Sequence, residues 1–176
     1  RKLTPSSRQA FKNADGNELH GAGGRPAKMA ALHSSSALAV NFFDYWAGSS
    51  LETVAAALGL RSVPERFLFE VPLPTGLEGN PPNLDAVFYH LDGSVIGVES
   101  KFCEWLTPKS PRKVHFKSKY FPSGEGLWTR LGLERAQRLA EAMHAGEKSF
   151  RYLDAAQLLK HMLGLANRSE EHTSEL

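Results

Sequence analysis

The fold of this chain is decided by residues 84–102, which read LDAVFYHLDGSVIGVESKF. Two runs rich in β-branched and aromatic residues, 84–91 and 95–102, flank a short segment of Asp92, Gly93 and Ser94. Such a segment is a turn signal between two strands, and glycine suits the left-handed position of the turn. The stretch therefore predicts an antiparallel β-hairpin.

The length of the turn decides which side chains share a face of the hairpin. A two-residue turn would leave Asp85 on the opposite face from Glu99 and Lys101. A three-residue loop over residues 92–94 pairs Asp85 with Lys101 and Val87 with Glu99, so that the three charged residues share one face. We expect this loop. The opposite face is then mostly apolar and suits a core packed under a helix; it comprises Ala86, Phe88, His90, Ile96, Val98, Ser100 and Phe102.

Three charged side chains on one face of a sheet require a reason, because buried charge is costly unless it is paired or bound to a metal. Two neighbouring carboxylates supply the hard oxygen ligands that Mg²⁺ prefers. A lysine beside them can orient or activate the attacking water in phosphodiester hydrolysis. Asp85 and Glu99 are therefore candidate metal ligands, and Lys101 is a candidate catalytic residue. The alternative interpretation is a surface salt-bridge ladder across two strands.

An aspartate on one strand followed by Glu-X-Lys on the next resembles the active-site pattern of the PD-(D/E)XK nuclease superfamily. Here the pattern consists of Asp85 and of Glu99-Ser100-Lys101, with Leu84 in place of the proline before the aspartate. The resemblance implies a mixed α/β, restriction-endonuclease-like fold with a central sheet and flanking helices. It also implies an endonuclease that acts on DNA with Mg²⁺, or with Mn²⁺ in its place.

The resemblance implies two further site residues. Many members of the superfamily carry a glutamate on an earlier element, for which Glu70 is the candidate and Glu52 the reserve. Several carry a glutamine on a helix after the core strands, which corresponds to Gln157. A catalytically inactive DNA-binding module of the same fold is the main alternative, and a scaffold without a nucleic-acid role is another.

Basic residues cluster after the hairpin. Residues 109–120 carry five cations interleaved with His115, Phe116 and Tyr120, a composition that can follow phosphates and stack on bases. A solvated loop is the alternative interpretation. The candidate DNA-binding residues are Lys109, Arg112, Lys113, Lys117 and Lys119.

The composition of the chain limits the remaining options. Its 176 residues are 41% hydrophobic, which suits a single domain, and Cys103 is the only cysteine, which excludes an internal disulfide. Neither a secretory signal pattern nor a run of 18 apolar residues occurs, so we expect a cytoplasmic protein that does not bind membranes. The number of chains in the assembly stays open, with a homodimer as one option.

The element order predicted from the sequence is α, α, β, β, β, α, α. Residues 1–28 predict a flexible basic arm, because their apolar positions are scattered. The expected elements are a helix capped within 34–36 that stops near Gly48, a second helix at 51–58 with a capping box of Ser49 and Glu52, a strand at 67–71, and helices over 127–145 and 152–165.

The last nine residues read RSEEHTSEL, which resembles the translation of a common sequencing adaptor. We therefore set residues 168–176 apart as an artefact and expect the nuclease-like domain to occupy residues 29–167. Because the superfamily core continues with a further strand after the glutamine-bearing helix, we expect this domain to be C-terminally truncated.

Overall fold

The chain forms two compact units in a computed structural model. The described residues are 3–13, 18–21, 23–109 and 116–173. The first unit consists of Arg1–Val71 and Asn83–Cys103, and the second consists of Pro72–Pro82 and Glu104–Leu176. Each unit has its own hydrophobic core.

The first unit contains an antiparallel sheet in the order β1-β2-β3, with β2 in the centre. The strands are β1 (Arg66–Pro72), β2 (Asn83–Tyr89) and β3 (Val95–Val98). All three lie where the β-rich runs predict them. However, β3 ends four residues earlier than the sequence predicts.

The hairpin turn is a three-residue loop of Leu91, Asp92 and Gly93, one position earlier than predicted. The His90 carbonyl accepts the Gly93 N–H at 3.1 Å, and the His90 N–H donates to the Ser94 carbonyl at 3.0 Å. Gly93 has a φ of 80°. In a loop of this kind the left-handed residue comes last, and only glycine adopts that conformation at little cost. The position of Gly93 therefore fixes the loop at residues 91–93.

The shifted loop changes which residues of the two strands are paired, but it does not change which side chains share a face. The predicted pairing of Val87 with Glu99 is wrong, because Val87 lies opposite Gly97. The predicted pairing of Asp85 with Lys101 is wrong for the same reason. Because the shift equals two residues along β3, every side chain keeps its predicted side of the sheet.

The apolar face of the sheet belongs to the core of the first unit, as predicted. The helices of this unit are α1 (Pro5–Asn13), α2 (Ser35–Phe43) and α3 (Glu52–Leu58). The buried cluster joins helices and sheet and comprises Phe11, Ala39, Val40, Phe43, Leu51, Val54, Phe69, Ala86 and Phe88. The Phe43 and Phe88 rings meet edge to face, with centroids 5.3 Å apart.

Helix α1 lies in the segment for which the sequence predicts irregular structure. Its Phe11 is only 2% exposed and lies against the Phe69 ring, with centroids 5.5 Å apart. The buried Asp44 carboxylate accepts hydrogen bonds from the Thr4 and Ser7 hydroxyls, which fixes the start of the helix. The helix has a single large apolar side chain, so its sequence lacks the repeating apolar stripe that would have predicted it.

The ends of α2 and α3 test the predicted caps. The Ser34 hydroxyl accepts the Ala37 N–H at 3.1 Å, which confirms the predicted cap of α2. Gly59 ends α3 with a φ of 64°, also as predicted. The capping box is wrong, because the Glu52 N–H donates to Ser50 at 3.3 Å and no side chain caps the Leu51 position.

The second unit is built around Trp128, which is fully buried. Its indole N–H donates to the Leu159 carbonyl at 2.8 Å. The α-helices of this unit are α4 (Glu134–His144) and α5 (Ala155–Thr173). Helix α4 begins later than predicted, because a 3₁₀ turn at Thr129–Leu131 ends in Gly132 with a φ of 70°.

The described residues therefore form five α-helices and a three-stranded sheet, which confirms the predicted mixed α/β class. Among the same residues, no helix has the length and apolarity that crossing a membrane requires.

Candidate active site

Asp85 and Glu99 lie on the same side of the hairpin. Asp85 precedes Ala86 on β2, Glu99 follows Val98 after β3, and Ala86 and Val98 are directly paired. In an antiparallel pair, residues at opposite positions project to the same face. The sheet therefore brings together the two carboxylates that the sequence predicts as metal ligands.

The Asp85 side chain replaces a backbone interaction at the end of the sheet. Its Oδ2 atom accepts the Ser100 N–H at 2.6 Å. An N–H that bonds to a side chain is not used in the strand ladder, which is why β3 stops at Val98. Glu99 and Lys101 thus follow the strand instead of lying within it. The hydrogen bond also orients the half-buried Asp85 carboxylate.

Glu99 and Lys101 form a hydrogen-bonded ion pair between Oε1 and Nζ. The Glu99 side chain is 10% exposed and the Lys101 side chain 35% exposed. The carboxylate is therefore largely shielded from water, while the ammonium stays accessible. Lys101 follows Glu99 closely in the sequence and neutralises its carboxylate in the structure.

Glu70 on β1 is electrostatically coupled to the same site. Its pKa is raised from 4.5 to about 7, mainly by partial burial and then by the charges of Asp85, Glu18 and Glu99, in that order of effect. Lys28 acts in the opposite direction. A carboxyl group with a perturbed pKa among other acids is a marker of functional sites. Glu70 is thus a better candidate than the reserve, Glu52, which is exposed at the start of α3.

The backbone at Glu70 has a φ of 49°, the only positive value at a described non-glycine residue. A left-handed residue within a strand is typical of bulges, which redirect a side chain near active sites. The conformation costs free energy for any residue with a Cβ atom.

Glu18 is a further acidic residue at this site that the sequence does not predict. It is 7% exposed, and its Oε1 atom lies 3.1 Å from the Lys28 ammonium. Its charge is one of those that raise the pKa of Glu70. Glu18 stands in a glycine-rich segment without periodicity, so no pattern marks it.

Gln157 lies in the first turn of α5, in the second unit. Its backbone N–H donates to the Asp154 carboxylate at 3.1 Å, so Asp154 caps the start of this helix. A catalytic role for the Gln157 side chain stays a prediction.

The candidate DNA-binding residues also belong to the second unit. Lys117 is exposed. The Lys109 ammonium lies 3.7 Å from Asp154, and the Lys119 ammonium donates to the Glu78 carbonyl. The predicted base-stacking role of two aromatic residues is wrong, because Phe116 and Tyr120 are buried in the core of this unit. Arg112, Lys113 and His115 lie outside the described residues.

A family model described as "Restriction Endonuclease associating with ARP" matches residues 6–175. The chain belongs to this family. Membership confirms the restriction-endonuclease resemblance drawn from the hairpin, and the matched range includes Glu18 as well as the hairpin residues. Neither a curated protein nor a solved structure matches the chain.

In this member of the family, the acidic site joins four carboxylates and two lysines of the described residues. The charges of Asp85, Glu18 and Glu99 raise the pKa of Glu70, Lys28 pairs with Glu18, and Lys101 pairs with Glu99. The donors are all hard oxygens, which fit Mg²⁺ or Mn²⁺. Over the described residues, no group of three or more His, Cys, Asp or Glu side chains is arranged so that it could hold a metal ion. Mg²⁺ commonly binds through one or two carboxylates and keeps several waters, so a pair of carboxylates is compatible with its chemistry.

Proposed function

We propose that this chain is a Mg²⁺-dependent endonuclease that hydrolyses phosphodiester bonds in DNA, with Asp85, Glu99 and Lys101 at the centre of its active site. The observation that carries the proposal is the position of these residues beside one another at the end of the β2–β3 hairpin. The name of the matching family supports a nuclease and, with it, a DNA substrate.

Each residue of the proposed site has a separate task. Asp85 and Glu99 would hold the cation, and the Ser100 N–H keeps the Asp85 carboxylate oriented. When bound, Mg²⁺ or Mn²⁺ supplies a Lewis acid and lowers the pKa of a coordinated water. Lys101 would donate a hydrogen bond to the attacking water or to a phosphate oxygen, because its ammonium is accessible and adjoins Glu99.

Glu70 would act as a proton acceptor or as a third acidic group at the site. With a pKa raised to about 7, its carboxyl group exchanges protons near neutral pH. Such a value suits a general base, because the group is then both available and basic enough to remove a proton from water.

Phosphate binding would rely on the basic residues of the second unit. Lys117 is the best placed of the described residues, because it is exposed and no ion pair neutralises it in the structure. Lys109 and Lys119 would have to leave Asp154 and the Glu78 carbonyl to reach a phosphate. Arg112 and Lys113 complete the predicted basic set.

The test of this function is cleavage of supercoiled plasmid DNA by the chain in Mg²⁺, with EDTA as the metal-free reference. Lys101→Ala should reduce the cleavage rate by about 100-fold or more, because the loss of a group that assists proton transfer has effects of that order. Its Mg²⁺ affinity should remain close to that of the unsubstituted chain. Asp85→Asn and Glu99→Gln should lose Mg²⁺ binding and cleavage together.

Lys12→Ala provides the control for Lys101→Ala, because Lys12 is an exposed residue of α1 and both substitutions remove one positive charge. Mg²⁺-dependent cleavage that survives in both Asp85→Asn and Glu99→Gln would refute the proposed active site. A chain that binds DNA and Mg²⁺ without cutting would instead be the catalytically inactive DNA-binding module.

A further inference from the structure

One edge of the sheet in the first unit lies along a cavity. β1 is an edge strand, because β2 is its only neighbour in the three-stranded sheet of the described residues. The cavity has a volume of about 370 Å³, and residues 66–69 of β1, residues 46–49 and the first turns of α1 line it. Side chains of consecutive strand residues alternate between the two faces of a sheet. A cavity lined by four strand residues in a row therefore runs along the backbone of the strand.

The segments around the cavity leave the backbone edge of β1 without a partner strand. An edge strand directs the N–H and C=O groups of alternate residues away from the sheet. Among the described residues, no backbone hydrogen bond joins β1 to α1 or to residues 46–49. Helix α1 contacts the strand through side chains instead, as in the pair of Phe11 and Phe69 rings. The outward backbone groups of residues 66–69 can therefore bond to a further extended segment.

Residues 66–69 also lack the features that usually protect the edge of a sheet, which are bulges, prolines, lysines and short strand length. The left-handed Glu70 and Pro72 protect the end of β1, and the other edge strand, β3, is only four residues long. The one charged residue within 66–69 is Arg66, and its guanidinium lies over the Tyr89 ring at 4.0 Å. The unprotected part of β1 is thus the part that lines the cavity.

The lining of the cavity favours an apolar segment that carries a basic residue. The buried Leu51 and the partly buried Trp46 and Phe67 provide an apolar surface. Glu65, which precedes β1, also lines the cavity. It is exposed, and its carboxylate forms no ion pair within the described residues. A lysine or arginine of the bound segment would complement this charge.

We propose that β1 binds an extended peptide segment of another protein, which adds to the free edge as a fourth strand, places an apolar side chain in the cavity and directs a basic residue to Glu65. Addition of a strand to a sheet edge gives affinity through main-chain hydrogen bonds and specificity through pockets for alternate side chains. The inference goes beyond the proposed function, since it assigns a protein partner to a strand edge and involves neither the metal nor the hairpin carboxylates.

The test is hydrogen exchange of backbone amides, measured by NMR on the 176-residue chain with and without a probe peptide. The probe is an acetylated and amidated hexapeptide of alternating valine and threonine in which lysine is the last residue. Exchange at alternate residues of 66–69 should slow by about 10-fold or more, because a new hydrogen bond must open before exchange occurs. Exchange in β3 should not change. A lack of protection over residues 66–69 would overturn the proposal.

A substitution that fills the cavity separates binding at this edge from binding elsewhere on the chain. Ser6 is an exposed residue of α1 that lines the cavity. Ser6→Trp should weaken peptide binding by about 10-fold, the equivalent of one or two main-chain hydrogen bonds. Gln9→Trp is the matched control, because Gln9 is an exposed residue of the same helix that does not line the cavity. Fluorescence anisotropy of the labelled peptide measures both affinities, and equal values would contradict a site at this edge.

Glu65 determines the expected preference for a basic segment. Glutamate in place of the lysine of the peptide should weaken binding by about 2- to 5-fold, the range of an exposed ion pair. Glu65→Gln should abolish this preference, whereas Glu52→Gln should keep it, because Glu52 is exposed and lies outside the cavity. An unchanged preference in Glu65→Gln would refute the predicted role of Glu65. Protection of residues 66–69 that appears without peptide and increases with the concentration of the chain would identify a second copy as the occupant, and would overturn the proposed partner.

Discussion

The two faces of the sheet in the first unit are built from the same strands but differ in what stabilises them. On the apolar face, Phe88 is fully buried and its ring contacts those of Phe43 and Phe67. On the acidic face, the charges of Asp85, Glu18 and Glu99 raise the pKa of Glu70. The comparison indicates that the apolar face provides folding stability, whereas the acidic face gives up some stability because it holds like charges close to one another.

The largest expected effect is a difference in stability between two substitutions on β2, one on each face of the sheet. Phe88→Ala should lower the free energy of unfolding by about 3–5 kcal/mol, because it leaves a cavity in the core. Asp85→Asn should change it by less than about 1 kcal/mol, because asparagine can still accept the Ser100 N–H and the loss of a charge relieves repulsion. Chemical denaturation in EDTA measures both values. Similar losses in the two variants would contradict the division between the faces.

A smaller effect, which depends on pH, should come from Glu70. Its pKa is raised from 4.5 to about 7 in the folded protein, so the folded state binds more protons than the unfolded state between these values. Stability should therefore fall as the pH rises from about 4.5 to about 7. Glu70→Gln removes this loss and should stabilise the protein at pH 8 by about 1–2 kcal/mol, after allowance for partial screening by solvent.

At pH 4 the effect of Glu70→Gln should nearly vanish, because glutamate is then largely protonated in both states. Thermal denaturation of the variant and the unsubstituted chain at pH 4 and pH 8, in EDTA, measures the difference. An equal gain at both pH values would show that the strain of the acidic face does not arise from the charge of Glu70.

The smallest effect concerns the turn that assigns residues to the two faces. Gly93→Ala should lower the free energy of unfolding by about 1–2 kcal/mol, because a residue with a Cβ atom is disfavoured at a φ of 80°. No neighbouring atom lies where the added Cβ would be, so the cost is one of backbone conformation alone. Urea denaturation provides the value, and an unchanged midpoint would argue against the left-handed loop.

The sequence predicts the faces of the hairpin better than its register. Whether two side chains share a face depends only on whether the register shift along β3 is odd or even, and the shift here is two residues. Asp85 and Glu99 therefore meet although their predicted partners are wrong. The register depends on which loop position Gly93 occupies, and the Asp92-Gly93-Ser94 signal does not specify this. The early end of β3 could not be predicted either, because it results from a contact with the Asp85 side chain.

Glu18 and α1 could not be predicted, because no local pattern in the sequence marks them. Phe11 alone anchors α1 in the core, and one buried side chain produces no periodicity. Glu18 is recognised only through its ion pair with Lys28 and its effect on the pKa of Glu70, which depend on the folded chain. Phe116 and Tyr120 show the opposite error, in which a local pattern is misleading. In the sequence they stand among cations and resemble a nucleic-acid-binding surface, but in the structure they belong to a core.

The left-handed backbone at Glu70 has a consequence for protein engineering. Such a conformation stores about 1–3 kcal/mol, and replacement by glycine is the usual way to recover it. Here the replacement would also delete a carboxylate of the acidic site. A search for thermostable variants would thus favour a substitution that removes this carboxylate. Under the proposed function, a gain in stability at position 70 would come with a loss of activity.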